Sequence, residues 1–209
     1  MSDPPSLSVL IQAISTGDAA SAFDVLAREP GLAVARVASG ATRAEAQSHF
    51  IPAIGHYVYA GDTALHVAAA AYQPDVARRL LDLGAKIDAA NRRKAQPLHY
   101  AADGAPGSAH WNPGAQAATI RLLIERGADP NAQDMNGVRP LHRAVRTRCS
   151  AAVGALLEAG ADVRLTNGNG STVLQLARRQ TGRGGSGSPE ARTEQRVILD
   201  LLERYLAPA

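Results

Sequence analysis

Apolar residues recur along the chain at helical spacing rather than in the alternation of a strand. Val76, Leu80 and Leu81 stand at i, i+4 and i+5, and Val153, Leu156 and Leu157 make a similar set. Such spacing gives short helices with one apolar face. Each set follows a shorter apolar stretch, opened by Thr63-Ala64-Leu65-His66, Gln96-Pro97-Leu98-His99 or Arg139-Pro140-Leu141-His142, and Thr172-Val173-Leu174-Gln175 opens another. Pro97 and Pro140 fall in the first turn, where the missing N–H has no intrahelical partner to lose. Thr63 and Thr172 can cap their helices through a side-chain oxygen, whereas Gln96 and Arg139 fill that place less well. Gly84, Gly127 and Gly160 stand where a left-handed C-cap closes the second helix of a pair.

These marks are periodic. The leucines at 65, 98, 141 and 174 are 33, 43 and 33 residues apart, and the three glycines are spaced by 43 and 33. Both markers therefore report about ten extra residues between Leu98 and Gly127. One helix pair of this size cannot bury its own apolar face, so neighbouring pairs must stack into a continuous core.

In period and motif the stretch from Asp62 to Leu176 resembles the ankyrin repeat family. Leu10, Ala13, Gly17, Val25 and Leu26 fit the same register more weakly and predict an opening repeat. The resemblance implies an all-α solenoid of about five helix-turn-helix repeats with short β-turn fingers, forming one domain over 1–209. The approximate repeats are 3–32, 58–90, 91–133, 134–166 and 167–206, with insertions near 33–56, 103–115 and 180–191. It also implies that His66, His99 and His142 are structural, each hydrogen-bonded to backbone between repeats, since no Cys or carboxylate recurs beside them with metal-ligand spacing.

In a repeat stack the buried positions are committed to packing, so surface residues and insertions carry function. The segment 33–56 contains a possible short helix around Ala41 to Phe50. It reads either as a cap over the open end of the core or as a source of partner contacts at His56, Tyr57 and Tyr59. The stretch 103–114 is too rich in Gly and Pro for a continuous helix and carries Trp111, the single tryptophan. Trp111 either pins this loop to the scaffold or anchors a partner. The Gly-rich run 180–189 lacks the Lys-Ser/Thr ending and preceding strand of a phosphate loop, which leaves a flexible linker. Aligning Val197, Leu201 and Leu202 with Val76, Leu80 and Leu81 makes that insertion about twelve residues.

The two later insertions occupy the same place in their repeats and are expected to flank the turn Thr147-Arg148-Cys149-Ser150. Arg143, Arg146, Arg148, Arg178, Arg179 and Arg183 surround that edge, and arginine suits bidentate recognition of carboxylate or phosphate. The family resemblance adds Arg92, Arg93, Met135, Asn136, Val138, Arg146 and Arg179 at finger or inner-helix positions used for binding. With Tyr59, Trp111, Arg148 and Arg183 these are the expected partner-contacting residues. The alternative is that the arginines solvate helices and pair with carboxylates of neighbouring repeats.

Composition narrows the function classes. Only 4% of the residues are aromatic against 45% hydrophobic, so the core is built from Leu, Val, Ile and Ala. Lys86 and Lys94 are the only lysines, a bias that fits a GC-rich, bacterial-type coding sequence. The formal charge is +3, which alone points to neither nucleic acid nor membrane. Cys149 is the single cysteine, so no internal disulfide forms and a reducing compartment is expected. With neither an N-terminal leader pattern nor an apolar run of spanning length, a cytoplasmic protein is expected. Cys149 reads as a buried or tolerated thiol, or as a thiolate activated by Arg148.

No nucleophile, base and oxyanion set converges, Cys149 with His142 being the nearest approach to one, so no enzyme activity and no cofactor are expected. The reading is a non-catalytic protein-interaction module that presents a basic groove and loop edge to a protein partner with an acidic or phosphorylated segment. Nucleic acid or a phosphorylated small ligand at the Arg- and Gly-rich edge is the alternative, and the lack of interleaved aromatic residues argues against nucleic acid.

Overall fold

In the computed structural model, residues 4–42, 44–179 and 188–207 are described. Five helix pairs follow one another along these residues: α1 (Pro5–Ser15) with α2 (Ala19–Arg28), α3 (Ala64–Ala70) with α4 (Pro74–Asp82), α5 (Pro97–Ala102) with α6 (Pro113–Glu125), α7 (Pro140–Thr147) with α8 (Ser150–Glu158), and α9 (Val173–Ala177) with α10 (Pro189–Leu206). The odd-numbered helices pack in one row and the even-numbered in a second. The core runs between the rows, with Leu65, Leu80, Leu98, Leu123 and Leu156 fully buried at matching places.

The helix ends follow the chemistry of their residues. Gly84, Gly127 and Gly160 have φ of 92°, 98° and 90° and close their helices in the left-handed conformation. Thr172 Oγ1 accepts from the Gln175 amide at 3.2 Å while Gln175 Oε1 accepts from the Thr172 amide at 2.9 Å, a reciprocal cap. Arg139 makes no side-chain cap, as its residue type predicts.

Before each later inner helix, an Asn or Asp folds the chain into a finger. Oδ1 of Asn91 accepts from the amides of Arg93 and Ala95, that of Asp134 from Asn136 and Val138, and that of Asn167 from Asn169 and Ser171, all at 2.8–3.1 Å. The fingers join edge to edge. The Arg92 amide donates to the Ala60 carbonyl at 2.9 Å, Met135 to Arg93 at 2.8 Å and Gly168 to Asn136 at 3.0 Å. The three histidines tie each inner helix to the next finger, His66 Nε2 lying 3.1 Å from the Ala95 carbonyl, His99 Nε2 3.1 Å from Val138 and His142 Nε2 3.3 Å from Ser171.

Three expectations are corrected. The described residues between 41 and 50 hold no α-helix. A single 3₁₀ turn, Gln47–His49, leads into a hairpin of β1 (Phe50–Ile51) and β2 (His56–Tyr57), turned at the left-handed Gly55. This segment is not a cap on the open end, because α1 and α2 form that end. Its first part lies along the first finger, the Val37 amide donating to the Asp62 carbonyl at 2.8 Å. In α10 the buried residues are Ala191, Ile198 and Leu202, while Val197 is 41% exposed. The register of the last helix is thus displaced by one residue from the alignment on Val197. The Gly-rich residues 180–187 lie outside the described residues, and with them Arg183.

Candidate functional site

The inner row carries a cluster of charge at its middle. Arg143 stands two residues after Leu141, where the other inner helices place Val67, Tyr100 and Leu176 in the same relation to their leucines. An arginine at an apolar position is costly without carboxylate partners. Arg143 has two: Nη1 is 2.8 Å from Asp103 Oδ2 and Nη2 is 3.1 Å from Asp134 Oδ2. Arg146 Nη2 reaches to 3.7 Å from Asp103 Oδ1. His56, at the tip of the hairpin, brings Nε2 to 3.5 Å from Asp103 Oδ2 and stacks on Tyr100 with ring centroids 4.1 Å apart. Burial pushes the Asp103 carboxyl up, but Arg143, His56 and Arg146 together outweigh it and hold the group well below the usual carboxylate range. Asp103 is therefore the hub of the groove, and two of the arginines expected at the binding edge, Arg143 and Arg146, are paired with it.

The edge formed by the later insertions is also largely committed. Trp111 is half-buried and its Nε1 donates to Gln116 Oε1 at 3.0 Å, so it pins the loop to α6. A Cβ on Gly104 would meet Cys149 Sγ at 2.5 Å, and one on Gly107 would stand 3.5 Å from Glu190 Oε2. Glu194 of α10 accepts from the Ser150 amide at 2.8 Å. The loop and α10 thus do meet across the Thr147–Ser150 turn. Arg148 is corrected: it is 4% exposed, takes the left-handed conformation that ends α7, and donates from Nη2 to the Arg179 carbonyl at 3.3 Å. Its place is inside the edge, not on a contact surface. Cys149 is fully buried, and burial pushes its thiol up to about 12, the opposite of an activated thiolate. Arg179 is exposed at the end of α9.

The fingers are different. Arg92 and Arg93 lie over the Tyr59 ring, 5.5 and 5.2 Å from its centroid, and Arg92 Nη2 also donates to the Ala41 carbonyl. Lys94 is exposed beside them, and Arg36 Nη1 donates to the Gly61 and Ala90 carbonyls at 3.1 and 2.9 Å. Among the described residues none of these four cations lies within ion-pair distance of a carboxylate. The next finger adds Met135, 57% exposed, and exposed Asn136, while Val138 is half-buried and spends its carbonyl on His99. Tyr59, Arg92, Arg93, Met135 and Asn136 therefore share one strip. Arg146 and Trp111 lie elsewhere.

Asp103 and the pair Arg36 and Lys94 were missed by sequence reasoning. Asp103 had a signal: it falls five residues after Leu98, as Arg146 and Arg179 fall five after Leu141 and Leu174. Arg36 had none, since it comes from an insertion.

The architecture defines a stacked helix-pair solenoid joined by β-turn fingers. Sequence comparison agrees with the geometry: ankyrin repeat models match residues 60–92, 95–135 and 123–177. The chain belongs to the ankyrin repeat family. Similar proteins include protein fem-1 homolog A-like of Mus musculus, 35% identical over 38% of this chain and 13% of its own length. Ankyrin repeat and SOCS box protein 16 of Mus musculus is 36% identical over 55% of this chain and 25% of its length. Tyrosine-protein kinase Shark of Drosophila melanogaster is 33% identical over 56% of this chain and 12% of its length. The chain spans a quarter or less of these relatives. Ankyrin repeat domains are generally non-catalytic interaction modules, and the family indicates a protein partner. No helix among the described residues is long and apolar enough to cross a membrane.

Proposed function

We propose that this chain is a protein-interaction module whose finger strip holds an acidic or phosphorylated segment of a protein partner. The observation behind this reading is the contrast in charge pairing. Arg143 and Arg146 face Asp103 and Asp134, whereas Arg36, Arg92, Arg93 and Lys94 face no carboxylate among the described residues. Two guanidinium groups steadied on one tyrosine ring are preorganised for a planar carboxylate or a phosphate. Exposed Met135 supplies an apolar neighbour for the same segment. The contact site thus moves from the arginine edge around Arg148 to the fingers.

The test is fluorescence anisotropy with a labelled peptide of alternating glutamate and phosphoserine. Arg93→Gln with Lys94→Gln should weaken binding about tenfold, the scale of losing a pair of exposed charge contacts. Arg121→Gln, which removes a cation paired with Glu158 on the outer row, should leave it unchanged. Equal binding by all three chains would remove the strip from consideration. A single-stranded oligonucleotide bound more tightly than the peptide would instead favour the nucleic-acid reading.

A further inference from the structure

The hairpin places a piece of this chain where a groove-bound partner would lie. His56 stacks on Tyr100 of α5 and approaches Asp103 at its end, and Gly55 sits so close to His110 that a Cβ would meet its Nε2 at 2.9 Å. The base of the hairpin returns to the fingers. The Ala41 amide donates to the Val58 carbonyl at 2.7 Å, and Tyr59 follows directly under Arg92 and Arg93. Arg92 therefore touches both chain segments that bracket the hairpin, through the Ala41 carbonyl on one side and the Tyr59 ring on the other. Its hold on the core is small: its strands are two residues each, and within residues 47–57 Ile54 alone is buried, with Ile51 half-buried against the core and Phe50 paired with Tyr57. Segments with so few buried apolar contacts open at a small fraction of the global unfolding free energy.

We propose that the hairpin Phe50–Tyr57 is an internal occupant of the groove, closed by Arg92, and that an acidic segment binding at the fingers releases it. This rests on the finger strip being the anion site. A carboxylate or phosphate that engages Arg92 Nη2 competes with the Ala41 carbonyl for the same donor. Anion binding and hairpin closure then oppose each other, and by linkage the opposition is reciprocal. Release uncovers the Tyr100 ring and Asp103, which gives a partner held at the fingers a second surface on the inner helices.

Two measurements on the full chain test the inference. The first needs no ligand: hydrogen exchange of residues 50–58, followed by mass spectrometry. Arg92→Gln should speed exchange there about tenfold while the amides of α5 keep their wild-type rates. Unchanged hairpin exchange in that variant overturns the clasp whatever the peptide does. The second is the affinity of the glutamate–phosphoserine peptide for His56→Ala, a change outside the finger strip itself. Unlatching the hairpin should tighten binding about fivefold, and His56→Phe, which keeps a ring on Tyr100 and loses the approach to Asp103, should fall between. Faster exchange with unchanged or weaker peptide binding contradicts the coupling and leaves the finger site standing. A wild-type chain that does not bind the peptide contradicts both.

Discussion

Arg143 and Asp103 make the strongest demands on the groove, since each is a charge withdrawn from water. Asp103→Asn leaves Arg143 beside Asp134 alone, and removing one partner of a buried pair costs about 3 kcal/mol. Urea unfolding should show that loss, and a loss below about 1 kcal/mol would mean that water already screens the pair. The same groups set the acid response. The folded chain keeps Asp103 ionised more firmly than the unfolded chain does, so its contribution is full above the ordinary carboxyl range and is lost as the pH falls through that range towards the lower folded value. His99 acts earlier. Burial lowers its pKa from 6.5 to about 4, so the unfolded chain binds the proton first and stability declines as the pH falls from 6.5 towards 4. Burial lowers His66 and His142 as well, in the same direction. The thermal midpoint should thus fall between pH 7 and pH 4.5, and His99→Gln should flatten the upper part of the fall. A midpoint constant over that range would contradict the account.

Among the elements, the inserted loop and the hairpin bear most on function. Gly104→Ala drives a Cβ against Cys149 Sγ and should destabilise by about 2 kcal/mol, as overpacking does. Cys149→Ala in the same chain should restore part of it, a coupling read from a double-mutant cycle. The thiol itself should react with iodoacetamide far more slowly than a free cysteine peptide, because it is buried and held protonated. The helices were legible in the sequence because their signals are local: a leucine on a fixed period, a proline or threonine at the start, a glycine at the end. The hairpin was not. Its two-residue strands carry no alternation to read, and it is held by His56 on Tyr100, a contact between residues 44 positions apart in the numbering. Val197 misled the register of α10 for a related reason, since the start of that helix is set by Ser188 accepting from the Ala191 amide rather than by the repeat.

For the whole molecule, the arginines that looked like one basic surface divide into two populations. Those on α7 meet carboxylates brought from the neighbouring finger and inserted loop, and among the described residues Arg36, Arg92 and Arg93 at the fingers do not. Sequence alone supplied the positions of both sets but not their partners, because pairing depends on how adjacent repeats are staggered. Asp103 against Arg146 was within reach of the register, while Arg36 against the Gly61 and Ala90 carbonyls was not. A stack of this kind loses stability from its ends inward, so deleting 189–207 should lower the thermal midpoint and expose Cys149, whose turn is capped by Glu194. The central claim is that a protein partner is held at the fingers. It is tested most directly by quantitative affinity capture from the native cell extract, comparing the wild-type chain, Arg93→Gln with Lys94→Gln, and Arg121→Gln. The account predicts a partner bearing an acidic or phosphorylated segment that is retained by the first and third and lost by the second. An identical partner set on all three chains would contradict it.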